Sequence, residues 1–408
     1  MNDKRALIPP LPLLAFGAFA IGTDTFVVVG VLPRVAHDLH VSVADVGWVS
    51  TVFALSYGVL APVLGALTGK VDRRTLMVLS LLGFAAGNVL SALAPSLTTL
   101  LLARVATAAA ASLYIPSASA TAGATAAPER RGRALAVVLG GLSAATVLGV
   151  PFGTWLASDI AWRATFWLLA GLGVLCAAAV ALMLPSLKLP TAPSLAVRLA
   201  PVRDLGALLT VLTTLLFMTG GYTVLTYIGA VLAPATKGSG NVLALLLLAF
   251  GVAGFLGTNL GGRAVDRFKP VPVLLVSLVL LGAVLAVVPL ARDRVWTAAV
   301  LMALWGLAAM ATQPAQQHRM FAIAPASGPL LMSLNSSATF LGIALGGYLG
   351  GQVVHQADDA SLRLLGPIGA GLVLLSLVAG YLGTRAGAAA APAPAAVPAR
   401  TEAAPARN

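Results

Sequence analysis

Long apolar runs recur along the whole chain, and short segments between them hold most of its charge. The first run, Leu11 to Pro33, is roughly 34 Å long as a helix, enough to cross a hydrocarbon core of about 30 Å. A membrane barrel would instead show segments of about ten residues with alternating polarity. The pattern predicts an all-α membrane protein with twelve transmembrane helices, at about 11–33, 46–67, 75–94, 98–122, 134–157, 163–184, 205–232, 241–261, 271–290, 296–315, 330–354 and 364–384.

The segments between the runs divide the chain into two halves. The longest break, Pro185 to Asp204, is basic and rich in proline, and it follows the sixth predicted helix. The loops after the second helix of each half, Gly65–Arg74 and Gly261–Lys269, both contain Val-Asp-Arg, as expected of a transporter built from repeats. We therefore predict an N-terminal six-helix bundle at 1–185, a cytoplasmic linker at 186–203, a C-terminal six-helix bundle at 204–385 and a disordered Ala/Pro-rich cytoplasmic tail at 386–408.

Composition and charge support this class and fix an orientation. Hydrophobic residues make up 59% of the chain and charged residues 9%, against about 25% charged residues in soluble domains. With the N-terminus inside, the inner segments hold 18 of the 25 lysines and arginines, the outer segments hold 6, and Arg104 lies within a helix. The positive-inside rule then predicts a multi-pass protein of the cell membrane with both termini in the cytoplasm. The net charge of +12 therefore reflects topology and does not indicate nucleic-acid binding.

Asp24 is an acid in the middle of the first predicted helix. A carboxyl group at that depth costs about 2.5–3.5 kcal/mol, so we expect Asp24 to face the central cavity, where it carries a proton or meets the substrate. Arg104 in the fourth helix lies within a few ångströms of the same depth, and a nearby guanidinium favours a charged carboxylate. We therefore expect Asp24 and Arg104 to couple protons to transport. The alternatives are an acid neutralised by local hydrogen bonds and a structural cation bound to backbone carbonyls.

Further polar residues in the predicted helices suggest the lining of a substrate cavity. The alternative is that their hydroxyl groups join helices, at about 0.6 kcal/mol per hydrogen bond. The remaining predicted walls are mostly Ala, Leu, Val, Phe and Trp, which favours an apolar or amphipathic cargo over a sugar. The candidates for this lining are Thr23, Tyr114, Tyr222, Thr226, Tyr227, Gln313 and Asn335.

Other kinds of site are not indicated. The four histidines fall in loops or at helix ends without metal-ligand spacing, and Cys176 is the single cysteine. The segment Gly65–Lys70 is one residue too short for a phosphate-binding loop and lacks its hydroxyl residue. We expect no metal, no cofactor and no enzymatic activity, and an ion gradient as the energy source.

The chain resembles the major facilitator superfamily at motifs that follow one another in order. Gly65 to Arg74 resembles the family's G-x-L-x-D-R-x-G-R-R loop, but Gly69 stands where the family has Asp, and Asp72 where it has Gly. Either Asp72 substitutes for that acid in bracing the cytoplasmic gate, or the gate is braced differently. The other resembling segments are Gly22–Phe26, with its acid one position early, Leu101–Arg104, Gly149–Gly153, Trp162–Trp167 and Asn335–Ser337.

The resemblance is greatest to the twelve-span drug:proton antiporter branch, with its arabinose-efflux-permease-like and chloramphenicol-resistance-type exporters. It implies two six-helix bundles that work by alternating access. The glycines and the proline of the fifth helix then form an antiporter bend, or they are ordinary small-residue packing. The basic residues of the cytoplasmic loops then bind the C-terminal ends of helices in the other half when the cytoplasmic gate closes, or they only determine the membrane topology. The gating residues so identified are Gly65, Lys70, Asp72, Arg73, Arg74, Gly149, Pro151, Gly153, Asp266 and Arg267.

We thus predict a membrane-embedded, proton-coupled exporter of a small apolar or amphipathic compound, for example one of the chloramphenicol type, that acts as a monomer. One alternative is a sugar or metabolite exporter of the same fold. Another is a membrane sensor or assembly factor that has kept the fold without transporting anything.

Overall fold

The structure, a computed structural model, describes residues 11–187, 195–323, 328–355 and 359–390. Within these ranges all regular structure is helical, and twelve helices are long and apolar enough to cross a membrane, which confirms the predicted fold class. They are α1 Leu11–Asp38, α2 Val43–Leu67, α3 Arg73–Ala92, α4 Leu97–Thr125, α5 Arg131–Asp159, α6 Trp162–Met183, α7 Leu205–Leu225, α8 Gly240–Phe268, α9 Pro270–Leu290, α10 Val295–Ile323, α11 Leu330–Val354 and α12 Ala360–Ala386.

Several helix ends differ from the predicted bounds. α1 continues past Pro33, which it accommodates inside the helix, because neighbouring helices can stabilise a proline kink within a membrane. α7 ends at Leu225, and two short helices, Ile228–Val231 and Ala233–Thr236, follow it. The last helix remains regular to Ala390, past the predicted start of the tail at residue 386, and residues 391–408, which hold most of that predicted tail, lie outside the described ranges.

Short polar side chains begin several of these helices. Ser42 precedes α2, Asp72 precedes α3, and Asp204 precedes α7, and each accepts a hydrogen bond from a backbone N–H of the first turn. Ser96 and Thr99 form a reciprocal capping box at the start of α4. Such caps satisfy backbone donors that have no partner within the helix, and each contributes about 1 kcal/mol.

Two large apolar cores hold the helices together. The first is built from buried residues of α1–α6, and the second mainly from buried residues of the chain after α6. Val29 of α1, Ala44 of α2 and Val150 of α5 belong to the second core, so the two halves share buried surface at these positions. A smaller cluster joins the halves through Ala54, Ile343 and Ala344, with Phe26, Tyr222 and Phe340 packed against it.

The two halves pack tightly towards one side of the membrane and diverge towards the other. We call the side at which α2 meets α3 and α8 meets α9 the basic face, after Lys70, Arg73 and Lys269, and the other side the opposite face. Near the opposite face, a Cβ atom on Gly47 of α2 would lie 2.0 Å from the hydroxyl oxygen of Tyr227, which follows α7. The part of α5 before Ala145 packs on α1 and α4, whereas its later part packs on α8. The space between the halves therefore opens to the basic face.

We expect a cysteine pair to cross-link the halves near the opposite face. In a Cys176→Ser background, Ser158→Cys and Gly240→Cys place sulfur atoms within reach, because a Cβ on Gly240 would lie 2.5 Å from the Cβ of Ser158. Mild oxidation followed by proteolysis of the segment between α6 and α7 measures the cross-link, since the two fragments then stay joined until they are reduced.

The matched control is Arg131→Cys with Arg263→Cys, both exposed near the basic face. This pair should remain unlinked under the same conditions. Efficient cross-linking of the control pair, or none of the first pair, would contradict the described opening.

Candidate functional site

An ion pair joins α1 and α4 inside the first half. Arg104 donates from Nη1 to Oδ1 of Asp24 at 2.7 Å and from Nη2 to the backbone oxygen of Asp24 at 3.3 Å. Both side chains are 0% exposed. The guanidinium carbon lies 4.2 Å from the ring centroid of Phe53 in α2 and 5.7 Å from that of Phe166 in α6. Two aromatic rings therefore help to enclose the pair.

The expectation that Asp24 faces the central cavity is wrong for this conformation, although the expected proximity to Arg104 holds. The position of a residue around the helix axis changes by about 100° from one residue to the next. At its position on α1, the side chain of Asp24 points towards Arg104 on α4. α1 packs against α2, α4, α5 and α6, and its accessible face is aromatic. Phe16 is 44% exposed and stacks on Phe19, with 5.9 Å between the ring centroids.

One carboxylate oxygen of the pair has no partner. Oδ2 of Asp24, Nε of Arg104 and Oδ1 of Asn88 are buried without a hydrogen bond among the described residues. Asn88 of α3 lies beside Asp24 and donates its own amide N–H to the carbonyl oxygen of Phe84 at 3.0 Å. An unmet acceptor on a buried carboxylate is costly. Within the described residues, the polar side chains beside the Asp24 carboxylate are therefore those of Arg104 and Asn88.

Four of the predicted cavity residues are buried in this conformation, and the helix-joining alternative describes two of them, Tyr114 and Tyr227, better. The hydroxyl group of Tyr114 donates to the carbonyl oxygen of Leu14 at 3.2 Å, and that of Tyr227 donates to the carbonyl oxygen of Gly347 at 2.8 Å. Thr23, which donates to its own helix, and Thr226 are also buried. The hydroxyl groups of Tyr114 and Tyr227 thus bridge neighbouring helices, whereas Oγ1 of Thr226 has no hydrogen-bond partner among the described residues.

The other three cavity candidates retain some exposure. Tyr222 and Gln313 are half-buried, and Asn335 is 6% exposed. Tyr222 lies at the cluster between the halves, where Phe26 and Phe340 also pack. The ring of Tyr57 stacks on Phe340, with 3.8 Å between the centroids. This aromatic group marks the depth at which the two halves meet.

The predicted bend in α5 is a π-helical turn at Ala145–Gly149, immediately before Pro151. A proline lacks the N–H that continues an α-helix, so a local change of helix type is expected there. Cβ atoms on Gly149 and Gly153 would lie 2.0 Å from Oγ1 of Thr23 and 2.4 Å from a methyl group of Val27. The glycines thus also allow the close packing of α5 on α1.

The acid of the first basic loop binds the first turn of α3 and the start of the linker after α6. Asp72 accepts hydrogen bonds from the backbone N–H groups of Thr75 and Leu187 and from the hydroxyl of Ser186, at 3.1, 2.7 and 2.8 Å. Partial burial raises the pKa of this carboxyl, but these hydrogen bonds outweigh it and hold the pKa below its ordinary value. Arg74 donates to the carbonyl oxygen of Ala181 in α6.

Among the residues that the structure describes, the remaining gating candidates form no hydrogen bond or ion pair with the other half. Lys70, Asp266 and Arg267 are exposed at the basic face, Arg73 is half-buried there, and Gly65 lies near the end of α2. Arg267 lies over the ring of its neighbour Phe268, at 5.3 Å. Their gating role therefore stays a prediction.

A second polar cluster in the other half was not predicted. α10 extends to Ile323, beyond its predicted end at residue 315, so Arg319 is 1% exposed inside the bundle. Gln316, one turn earlier, is also buried, and so is Thr214 of α7. The spacing of three residues between Gln316 and Arg319, on one face of a helix, was the available signal.

The predicted sixth-helix motif joins three helices at the opposite face. Nε1 of Trp162 donates to Oδ2 of Asp38 at 2.8 Å, and Arg163 forms an ion pair with the same carboxylate. Arg163 also donates to the carbonyl oxygen of Ala94 at 3.1 Å. Within the described ranges, no group of His, Cys, Asp and Glu side chains has an arrangement that could hold a metal ion.

A family model described as Major Facilitator Superfamily matches residues 14–228 and 210–406 of the chain. The chain belongs to the major facilitator superfamily. It is therefore a multi-pass membrane transporter and not an enzyme. A solved bacterial homologue of the human lysosomal transporter Spinster, in an inward-facing and occupied conformation, has a TM-score of 0.73 at 17% identity and covers 95% of this chain and 98% of its own, which shows the fold alone.

Curated relatives extend over most of the chain. The inner membrane transport protein YdhP of Escherichia coli K12 is 34% identical over 90% of this chain and 94% of its own length. The MFS-type transporter YbcL of Bacillus subtilis is 32% identical over 91% and 94%. A chloramphenicol resistance protein of Streptomyces lividans is 35% identical over 66% of this chain and 69% of its own length.

The buried ion pair should dominate the stability of the first half. Asp24→Asn leaves a charged Arg104 without a counter-ion, and we expect a loss of about 3–5 kcal/mol in the free energy of unfolding. The double variant Asp24→Asn/Arg104→Gln should recover part of that loss, because no unpaired charge remains. Unfolding of the purified protein in detergent measures both changes.

Arg163→Gln serves as the control, since its ion pair with Asp38 is 35% and 47% exposed and should contribute at most about 1 kcal/mol. A double variant as unstable as Asp24→Asn alone would contradict the assignment.

Proposed function

We propose that this transporter exports a small apolar or amphipathic compound in exchange for protons, as a monomer that works by alternating access. We propose further that the basic face is cytoplasmic, since the excess of lysine and arginine lies on that side. The described conformation then opens to the cytoplasm and is ready to accept cargo from inside the cell.

The observation that carries the proposal is the enclosed pair of Asp24 and Arg104 on α1 and α4. A proton and the guanidinium compete for one carboxylate, because protonation removes the charge that binds Arg104. The deprotonated acid stabilises the contact between α1 and α4, and the protonated acid weakens it. Proton binding therefore favours a different arrangement of these helices, which is the requirement for coupling.

α1 can transmit that change because it contacts helices of both halves. Phe26 packs at the junction of the halves, and Phe16 and Phe19 lie on the same side of α1, nearer the basic face. Farther along, Val29 belongs to the core of the second half, and the ring of Pro33 lies 3.1 Å from the position of a Cβ on Gly229. A shift of α1 at Asp24 thus acts on the closure at the opposite face.

The nature of the cavity wall supports an apolar or amphipathic cargo. Phe16 and Phe19 offer aromatic surface, and Tyr57, Tyr222 and Phe340 form the deeper aromatic group. Binding sites for small amphipathic molecules are lined mainly by such side chains, with few polar groups. The similarity to a chloramphenicol resistance protein agrees with this class of cargo.

Proteoliposomes containing the purified protein test the coupling. With the protein oriented by sidedness assay and chloramphenicol added on the basic side, the wild type should release protons as the compound moves. Asp24→Asn should lose proton movement by about tenfold or more, because a carboxamide does not exchange a proton.

The double variant Asp24→Asn/Arg104→Gln separates coupling from folding, since it should regain stability and still move no protons. Wild-type proton movement in a well-folded Asp24→Asn variant would refute the proposed role of the acid. Binding of chloramphenicol without flux under any gradient would support a sensor instead.

A further inference from the structure

Four polar side chains form a hydrogen-bonded chain across three helices of the second half. Arg319 of α10 donates from Nη1 to Oε1 of Gln316 at 3.4 Å. Nε2 of Gln316 donates to Oγ1 of Thr214 in α7 at 3.0 Å, and Oγ1 of Thr214 donates to Oδ1 of Asn335 in α11 at 2.5 Å. The first three residues are at most 1% exposed, and Asn335 is 6% exposed. We call these four residues the amide relay.

The arginine fixes the direction of every hydrogen bond in the amide relay. A guanidinium has five N–H donors and no acceptor, so Gln316 must turn its carbonyl oxygen towards Arg319. Its amide nitrogen then points the other way, where it reaches Thr214 and also the carbonyl oxygen of Thr210 at 2.6 Å. A second donation from Arg319, to the carbonyl oxygen of Gly380 in α12 at 2.8 Å, keeps the guanidinium in place.

The order continues through Thr214 to Asn335. Since Oγ1 of Thr214 already accepts a hydrogen bond from Gln316, its single hydrogen is available for the carbonyl oxygen of Asn335. The Nδ2 group of Asn335 is then left as a donor. It bonds to no residue in the described ranges, and it is not sealed from its surroundings. The guanidinium donor of Arg319 at one end of the relay thus orients the other groups so that the Nδ2 donor of Asn335 lies at the other end.

We infer that Asn335 presents an N–H donor to the cargo, so that the transported compound carries a hydrogen-bond acceptor such as a carbonyl, nitro or ether oxygen. This inference rests on the proposed function, because it assumes that cargo passes between the halves. On α1 of the first half, Phe16 and Phe19 lie on the same side of the helix as Phe26, which packs at the junction of the halves, and they offer no strong polar group. The aromatic side chains of α1 and the Asn335 donor of α11 together select a cargo with an apolar or aromatic body and a hydrogen-bond acceptor at the end that meets α11.

One substitution reverses the relay without touching Asn335. In Gln316→Glu the carboxylate still accepts from Arg319, but it has no hydrogen to donate to Thr214. The hydroxyl of Thr214 then donates to the carboxylate, and Asn335 turns its amide over to donate to Thr214. The group of Asn335 that meets the cargo thereby changes from its N–H donor to its carbonyl acceptor.

Ligand-induced thermal stabilisation of the purified full-length protein in detergent measures this reversal. The probes are chloramphenicol, which offers carbonyl and nitro oxygens, and benzylammonium, which offers only N–H donors. The wild type should favour chloramphenicol, and Gln316→Glu should shift the ratio of half-saturating concentrations towards benzylammonium by about tenfold or more.

Gln317→Glu is the matched control, because it adds the same charge one position later on α10, where the half-buried side chain forms no hydrogen bond with the relay within the described ranges. It should leave the ratio near the wild-type value. Thr214→Val, which cuts the relay, should remove the preference without reversing it, and it serves if Gln316→Glu fails to fold.

An unchanged ratio in Gln316→Glu and Thr214→Val, an equal shift in Gln317→Glu, or no stabilisation of the wild type by chloramphenicol would each overturn the inference. The measurement uses no ion gradient. Failure of proton coupling in Asp24→Asn would therefore leave this result unaffected, and the two proposals can fail separately.

Discussion

The enclosed contact between Asp24 and Arg104 constrains the first half more than any other interaction. Charged groups are costly in a low-dielectric interior, and here each is compensated chiefly by the other and by the rings around them. Phe53 of α2 and Phe166 of α6 pack on the guanidinium, so four helices meet at one pair of charges. Any change in the charge of Asp24 therefore alters the packing of several helices at once.

The second half also buries an arginine, but the partners of that arginine are neutral. In both halves an arginine on the fourth helix is buried and reaches the first helix, directly in the case of Arg104 and through Gln316 in the case of Arg319. The neutral partners of Arg319 can orient hydrogen bonds, but they do not change charge by gaining or losing a proton near neutral pH. We therefore attribute proton exchange to the first half and recognition of polar cargo groups to the second.

The sequence was informative wherever one physical requirement dominated. Crossing hydrocarbon requires long apolar helices, so the twelve helices could be predicted from hydropathy alone. The meeting of Asp24 with Arg104 followed from their similar depths. Depth along a helix does not give rotation about it, and for this reason the predicted orientation of Asp24 towards the cavity failed. Rotation is decided by packing, here by the close contact of α5 with Thr23 and Val27.

Polar residues elsewhere in both halves illustrate the same limit. A tyrosine within an apolar run can line a polar cavity, and for this reason Tyr114 and Tyr227 were predicted to do so. Each hydroxyl group instead donates to a backbone carbonyl oxygen of a neighbouring helix. Gln316 and Arg319 were obscured by the end predicted for α10, because charge at the edge of an apolar run usually marks a loop. When an arginine remains inside a helical bundle, its partners must be found among the nearest polar side chains. Those partners then acquire a fixed hydrogen-bond direction, which a sequence alone does not reveal.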